Sequence, residues 1–413
     1  MDYGLIGEKL GHSYSPQIHA ALADYDYQLC PMPPERVDAF MKAKAFRGIN
    51  VTIPYKKTVL PYCDELSPDA AEIQCVNTIV KRADGTLFGH NTDVGGFMAM
   101  LHHAGIEAKG KKAVILGSGG TSLTATVALR RMEAKEIVVI SRSGVENYDT
   151  LYLNHQDAQL LVNTTPVGMY PKNGVSPVDL GKLPHVQSVV DVIYNPEKTS
   201  LIQQAERLGL KTVSGLYMLV AQARMAAELF TGKAIPPSVD ERIVNQIKSE
   251  TLNLVLIGMP GCGKSSLGKL IAEKMQRPLI DTDAEIERLA GKTIPDIFAQ
   301  DGEAHFRRLE SQVIREVCCG HGAVITTGGG AILKEENRLM MHQNSRVCLI
   351  QRPLEKLARN GRPLSAGDGA VERLWNERKA LYAQAADYVI ENNAMLSFAA
   401  QKVQEGFYEA IGD

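Results

Sequence analysis

The sequence predicts an α/β protein built on parallel sheets, and three observations carry that expectation. Short apolar, β-branched runs alternate with amphipathic stretches, at Lys112 to Leu116, Glu136 to Ile140, Gln187 to Ile193, Asn253 to Ile257, Ala323 to Thr326 and Arg346 to Ile350. This is the pattern of strands joined by crossover helices. Two of the runs pass straight into glycine-rich turns, at Gly117 and Gly258, and each turn can open its own doubly wound sheet. With 413 residues the chain exceeds what one hydrophobic core organises; at about 100 to 200 residues per domain, three domains are expected.

Composition excludes several classes of function. Hydrophobic residues make up 45% and charged residues 22%, and the formal net charge of -2 supplies no field to attract nucleic acid or anionic lipid. The start, Met1 to Gly7, lacks a basic segment followed by an apolar one, and no apolar run approaches a membrane span. A cytoplasmic protein without membrane or nucleic-acid partners is expected. The seven cysteines are odd in number and scattered, as reduced buried thiols are.

Taken from the N-terminus, the first feature is His12-Ser13-Tyr14-Ser15-Pro16. If this segment is extended, the two serine hydroxyls point the same way and can share one carboxylate. Asn50-Val51-Thr52-Ile53-Pro54-Tyr55-Lys56, Val76-Asn77-Thr78 and Gly89-His90-Asn91-Thr92-Asp93 follow. Lys56 can donate a proton and Asp93 can orient and balance it; Asp93 also reads as the N-cap of a helix over Val94 to Leu101.

The next unit is the strand Val114-Ile115-Leu116 running into Gly117-Ser118-Gly119-Gly120-Thr121, where a pyrophosphate would meet backbone N–H groups at a helix N-terminus. After Val138-Val139-Ile140 stands Ser141-Arg142-Ser143 where an acidic residue would select a free ribose 2′-hydroxyl. An arginine there favours a 2′-phosphate, hence NADP. Asn163 to Met169, Asp191 to Pro196, and Gly215 with Met218, Gln222 and Ala223 complete the set.

In this order these motifs resemble shikimate dehydrogenase over most of residues 1 to 235. The resemblance implies reduction of a ring ketone, 3-dehydroshikimate, to shikimate, with Lys56 and Asp93 as the catalytic pair. It implies Ser13, Ser15, Thr52, Asn77 and Gln222 on the substrate, and Gly117, Gly119, Gly120, Arg142, Tyr194 and Gly215 on the cofactor. It also implies a discontinuous substrate-binding domain, residues 1–92 with 215–248, enclosing a Rossmann-like cofactor domain over 93–214. Two departures bear on the cofactor. Ser122-Leu123 lacks a basic residue usual in the family, and the stretch from Arg142 to Asn163 is short beside the roughly 30 residues of a full βαβ unit. A trimmed cofactor domain is expected, with NADP favoured and NAD left open.

Residues Thr231 to Thr251 join the halves through Ile235-Pro236-Pro237-Ser238 and a short helix expected over Asp240 to Lys248. Beyond them, Gly258-Met259-Pro260-Gly261-Cys262-Gly263-Lys264-Ser265 is a phosphate-binding loop. Its glycines let backbone N–H groups cradle phosphate oxygens, Lys264 reaches the β and γ phosphates, and Ser265 can ligate Mg²⁺. A helix from Ser266 onward would add its positive end.

Asp281-Thr282-Asp283, Phe306-Arg307 with Glu310, Thr327-Gly328-Gly329-Gly330, Arg362-Pro363-Leu364 and Glu377-Arg378 before Tyr382 follow in order. With the loop they resemble shikimate kinase over nearly all of residues 251–413. The resemblance implies a P-loop domain of the nucleoside-monophosphate-kinase type that uses ATP and Mg²⁺. Gly258, Gly261, Gly263, Lys264, Ser265 and Ser266 would hold ATP, and Ser265 and Asp281 the metal. Asp283, Arg307, Gly329, Gly330 and Arg378 would hold the carboxylated ring, Asp283 also assisting deprotonation, and Arg362 would close over the transferring phosphoryl group. Arg359-Asn360-Gly361-Arg362 makes a shorter lid arm than is usual. The leading expectation is a bifunctional enzyme that makes shikimate and then phosphorylates it. The alternatives are a first half with broader quinate/shikimate specificity, or a non-catalytic pathway sensor. The intact Lys56, Asp93, Lys264, Asp281, Asp283 and Arg362 oppose the sensor.

Overall fold

A computed structural model describes residues 1–11, 13–357, 370–393 and 395–412. Contacts divide the chain into two units: Met1–Met169, Val175–Tyr194 and Leu201–Val244 form one, and Tyr170–Gly174, Asn195–Ser200 and Asn245–Asp413 the other.

The first unit opens with a six-stranded sheet made of β1 (Tyr3–Gly7), β2 (Tyr27–Pro31), β3 (Gly48–Val51), β4 (Glu65–Leu66), β5 (Thr78–Lys81) and β6 (Leu87–His90), in the order β2-β1-β3-β5-β6-β4. Helices α1 (Ser15–Leu22), α2 (Pro34–Ala43) and α3 (Pro68–Ile73) lie between its strands in sequence. The sheet is mixed, not parallel throughout, because β5 runs antiparallel to both β3 and β6. The turn between β5 and β6, with Gly85 at φ 83° and Asp84 accepting from the Thr86 N–H, is too short for a crossover.

Helix α4 (Asp93–His103) leads from this sheet to a second one. Its N-cap is Thr92, not Asp93, which is the first helical residue; Asn91 Oδ1 accepts from the Asp93 N–H. That frees the Asp93 carboxylate from capping. The second sheet is parallel throughout, in the order β11-β10-β9-β7-β8, from β7 (Lys112–Leu116), β8 (Glu136–Ile140), β9 (Leu160–Asn163), β10 (Ser188–Asp191) and β11 (Lys211–Ser214). Helices α5 (Gly120–Arg131), α6 (Tyr148–Asn154) and α7 (Ser200–Arg207) serve as connections. The short stretch between Arg142 and Asn163 keeps its helix and strand; α6 is only 7 residues long, closed by an Asn147–Thr150 capping box.

Helix α8 (Leu216–Thr231) packs along α4, where a Cβ on Gly96 would come within 2.9 Å of the Met218 carbonyl. Helix α9 (Ser238–Thr251) is longer than expected at both ends. Its first turn is tied to α8 by Arg224, whose Nε donates to both oxygens of the fully buried Asp240 at 2.9 and 3.0 Å.

The second unit is a parallel sheet of β12 (Asn253–Ile257), β13 (Leu279–Asp281), β14 (Val324–Thr326), β15 (Ser345–Gln351) and β16 (Tyr388–Glu391), in the order β13-β14-β12-β15-β16. Around it run α10 (Lys264–Met275), α11 (Thr282–Ala290), α12 (Ile294–Gln300), α13 (Glu303–Cys318), α14 (Glu335–Gln343), α15 (Ala370–Ala385) and α16 (Leu396–Gly412). Helix α10 starts at Lys264, two residues before the expected Ser266. Strand β12 is central and buried along its length, and its C-terminal end is where ligands of open α/β sheets bind.

The segment Asn195–Ser200 is held in this unit by charge. Glu197 accepts from Arg346 at 2.7 and 3.0 Å and lies 3.0 Å from Lys248. Burial works to raise the Glu197 pKa, but the charges of Arg346 and Lys248 hold it well below the usual carboxylate range.

Candidate active sites

The first site lies within the first unit, in a cavity of about 530 Å³. Loops at the ends of β1, β3, β10 and β11 feed it, together with α4 and α8. On its wall the Lys56 Nζ donates to Asp93 Oδ2 at 2.7 Å. Burial favours the neutral amine, yet the Asp93 charge and hydrogen bond outweigh it and raise the Lys56 pKa. The ammonium is therefore the resting form at neutral pH, held as a proton donor beside a carboxylate.

Ser13 and Ser15 also line this cavity, but not as neighbours on an extended strand. Tyr14 between them is helical in backbone, at φ -76° and ψ -3°, and Ser15 begins α1. The hydroxyls converge because the Ser13 side chain folds over the helix start: Ser13 Oγ donates to Ser15 Oγ at 3.1 Å and accepts from the Ser15 N–H at 3.2 Å.

Thr52, Asn77 and Gln222 join them on the cavity wall. Asn77 is almost fully engaged by the protein. Its Nδ2 donates to Thr92 Oγ1 at 3.0 Å and its Oδ1 accepts from the Thr92 N–H at 2.8 Å. Gln222 Nε2 donates to the Leu219 carbonyl at 2.8 Å, and its Oε1 accepts from Thr92 Oγ1. Thr92 thus ties both amides to the residue preceding Asp93.

Tyr194 and Gly215 complete the wall. Burial raises the Tyr194 phenol, whose ring sits 5.9 Å from that of Tyr14. A Cβ at Gly215 would fall 2.0 Å from the Val192 carbonyl, so only glycine fits.

The remaining expected cofactor residues stand outside the cavity lining. Gly117 has φ 104° and turns the chain after β7, while Gly119 and Gly120 have open space where a Cβ would point. Bare backbone at the start of α5 suits a close-lying phosphate. Arg142 is exposed just after β8, the strand paired with β7. Of this turn only Thr121 reaches the cavity.

The second site is in the second unit, at the end of β12. Gly258, Gly261 and Gly263 have φ of 146°, 84° and 102°, which side-chain-bearing residues rarely adopt. The loop folds around Lys264, whose Nζ donates to the carbonyls of Gly258 at 2.8 Å and Met259 at 3.1 Å. Asn392, beyond β16, donates to the Cys262 carbonyl at 2.8 Å and braces the loop from outside. Ser265 and Ser266 are exposed at the start of α10.

Ser265 Oγ lies 3.4 Å from Asp281 Oδ2, which also accepts from Thr326 Oγ1 at 2.8 Å. Asp281 Oδ1 caps α11 through the Asp283 and Ala284 N–H groups. One hydroxyl and one carboxylate are a fitting donor set for Mg²⁺, which keeps several waters and takes phosphate oxygens instead of an all-protein cage. No cluster of three or more His, Cys, Asp or Glu suited to a metal occurs among the described residues.

Asp283 follows, its pKa raised by burial and then by the Asp281 charge. A Cβ on Gly328 would lie 2.6 Å from its Oδ1. Arg307 Nη1 donates to Glu310 Oε2 at 2.8 Å, and a Cβ on Gly330 would collide with the Arg307 guanidinium. Burial raises the Glu310 pKa against the pull of Arg307. The Gly329 carbonyl accepts from Arg378 Nη1 at 3.0 Å and from the Tyr382 hydroxyl at 2.6 Å. Arg378 Nε and Glu310 Oε1 are buried without a hydrogen-bond partner among the described residues. Asp283, Arg307, Gly329, Gly330 and Arg378 are therefore gathered through shared contacts. Arg359 and Arg362, with the lid, lie outside the described residues, as does His12.

Thr92, Thr326, Tyr382 and Asn392 are the supports that sequence reasoning left without a role. Thr326 and Asn392 each end or follow a strand, a weak signal that gains meaning only once β14, β12 and β16 are aligned.

Known proteins match both parts of the chain. A family model described as shikimate dehydrogenase substrate binding domain matches residues 5–79, and one described as shikimate kinase matches residues 260–407. The shikimate dehydrogenase (NADP(+)) of Clostridium perfringens (strain SM101 / Type A) is 35% identical over 266 residues, covering 60% of this chain and 98% of that protein. The solved chorismate mutase/shikimate 5-dehydrogenase fusion protein of Clostridium acetobutylicum is 37% identical, with TM-score 0.56, over 60% of this chain and 96% of its own. Quinate dehydrogenase from Corynebacterium glutamicum, solved with NAD, is 29% identical, with TM-score 0.55, over 59% of this chain and 98% of its own. The chain belongs to the shikimate dehydrogenase family over its N-terminal part and carries a shikimate kinase domain after it.

Proposed function

We propose a residue-level division of labour for this bifunctional enzyme of the shikimate pathway, which reduces 3-dehydroshikimate to shikimate with NADPH and phosphorylates shikimate with ATP. The observation that carries it is the 2.7 Å Lys56–Asp93 pair in a cavity of about 530 Å³. In reduction, the cofactor supplies the hydride. The Lys56 ammonium gives its proton to the ring oxygen as alkoxide charge builds there, and Asp93 keeps the lysine charged and aimed. Ser13 and Ser15 hold the ring carboxylate, and Thr52, Asn77 and Gln222 contact the ring hydroxyls. Tyr194 and Gly215 flank the nicotinamide, while Gly117, Gly119, Gly120 and Arg142 hold the rest of NADP. The substrate lobe is residues 1–92 with 215–248, the cofactor lobe 93–214 and the kinase 251–413.

In the kinase, Lys264 leaves the loop carbonyls for the β and γ phosphates, and Gly258, Gly261, Gly263, Ser265 and Ser266 cradle them. Ser265 and Asp281 hold Mg²⁺, which neutralises phosphate charge when bound. Asp283 accepts the substrate hydroxyl proton, a role its raised pKa suits. Arg307 and Arg378 bind the carboxylate, Gly329 and Gly330 admit the ring, and Arg362 covers the phosphoryl group. The cytoplasm is the proposed compartment: the cysteines are free thiols, and no helix among the described residues is long and apolar enough to cross a membrane.

The test is a pair of variants on the intact chain. Lys56→Ala should lose shikimate oxidation by at least about a hundredfold and keep ATP consumption with shikimate; Lys264→Ala should do the reverse. Loss of both activities from either change would defeat the two-site reading. The fold shared with a quinate dehydrogenase supports a second reading, a broader polyol range in the first site. Running the oxidation with shikimate and quinate against NADP⁺ and NAD⁺ separates the two.

A further inference from the structure

Among the described residues, the dehydrogenase cavity has three charged side chains on its lining: Lys56, Asp93 and Lys9. Lys56 and Asp93 neutralise each other at 2.7 Å. Lys9 makes no hydrogen bond or ion pair among the described residues and is exposed. The cavity therefore carries one uncompensated positive charge, and its position is informative. Lys9 lies on the loop between β1 and α1, the loop that also brings Ser13 and Ser15 to the wall. At that point begins α1, eight residues long, with no acidic residue in its first turn; its first N–H, that of Ser15, donates to Ser13 Oγ. A free ammonium and two convergent hydroxyls thus reach the cavity lining from one loop, the one that leads into the positive end of α1.

From this we infer that Lys9 is a carboxylate-recognition residue of the dehydrogenase, supplying the charge that Ser13 and Ser15 lack. Its ligand is the ring carboxylate of 3-dehydroshikimate and shikimate, so the inference rests on the substrate reading above. Hydroxyls alone donate neutral hydrogen bonds, which discriminate weakly between an acid and its ester. An ammonium adds charge-assisted binding and draws the anion toward the cavity. Because the carboxylate keeps its charge throughout hydride transfer, Lys9 binds ground and transition states alike. Its loss should appear in KM and not in kcat.

The experiment compares Lys9→Met and Lys9→Arg with wild type in steady-state oxidation of shikimate and of shikimate methyl ester by NADP⁺, with the kinase reaction of the same chain as a check on folding. Lys9→Met should raise KM for shikimate by about three- to tenfold, as for a partly exposed charged contact. It should leave kcat and KM for NADP⁺ near wild type, and change KM for the ester little. Lys9→Arg should retain most of the binding. An unchanged KM for shikimate, or an equal rise for acid and ester, would overturn the inference. A rise in KM for NADP⁺ in place of shikimate would overturn it too, by assigning the charge to the cofactor. These measurements are made on active enzyme, so they remain separate from the Lys56→Ala test, on which the catalytic reading itself stands or falls.

Discussion

At the scale of single residues, the two sites rely on charges whose neighbours decide their protonation. The Lys56 pKa is raised although burial opposes it, because the Asp93 carboxylate is 2.7 Å away. In Asp93→Asn the hydrogen bond can survive while the charge is gone, so burial prevails and the lysine pKa falls. With Lys56 as the proposed proton donor, ketone reduction should be lost as pH rises through its pKa. The alkaline limb of the pH–kcat profile for 3-dehydroshikimate reduction should thus move to lower pH in Asp93→Asn. An unmoved limb would mean that another group supplies the proton. The pairing was legible in the sequence, since Lys56 and Asp93 sit in motifs whose residue types can exchange a proton, and the structure brings them to 2.7 Å. The capping duty expected of Asp93 was not, because Thr92 occupies the N-cap position and the Asn91 side chain accepts from the Asp93 N–H. Lys9 was equally silent: a lysine in a loop means nothing until the fold turns that loop toward a cavity whose other charges cancel.

At the scale of elements, a single side chain can both begin a helix and serve a ligand. Asp281 ends β13, caps α11 with one carboxylate oxygen and turns the other toward Ser265 and Thr326. The two roles can be separated. Asn caps a helix about as well as Asp, whereas Ala does not, at a cost of about 1 kcal/mol. Asp281→Asn should therefore melt close to wild type and Asp281→Ala lower, while both lose kinase activity and require more Mg²⁺ for what remains. Retention of wild-type Mg²⁺ dependence in Asp281→Asn would reduce the residue to a cap. The strands of the two parallel sheets were legible as apolar β-branched runs, and β7, β8 and β12 match them end for end. The mixed first sheet was not, because β5 and β6 are four-residue strands. Their direction is set by a turn, not by periodicity. Helix α9 outran its expected bounds for a similar reason: the Arg224–Asp240 contact that secures its first turn joins residues from two helices.

At the scale of the whole molecule, the chain's order and its contact units disagree at two short segments. Tyr170–Gly174 and Asn195–Ser200 are flanked in sequence by the first unit, yet belong to the second. No local pattern marks them, since their membership is decided by partners more than a hundred residues away, such as Asn173 with Gln343 and Glu197 with Arg346. Glu197 and Arg346 are each 8% exposed in side chain, so removing Glu197 takes from the buried Arg346 its carboxylate partner, at a cost bounded by the about 3 to 5 kcal/mol of an uncompensated buried charge. Glu197→Gln should accordingly lower the midpoint for loss of kinase activity on heating at pH 7. Because the folded pKa of Glu197 is depressed, its stabilisation is fully present above the unfolded value of about 4.3 and is lost as pH falls below it. The gap between wild type and Glu197→Gln should therefore close on acidification. A fragment of residues 251–413 lacks Glu197 and should melt below the kinase of the intact chain. Arg346→Met should recover part of that loss in the fragment and destabilise the full chain, where Glu197 would lose its bidentate partner and keep only the single contact with Lys248. If Arg346→Met acted alike in fragment and full chain, the ion pair would not be what binds Asn195–Ser200 to the kinase unit.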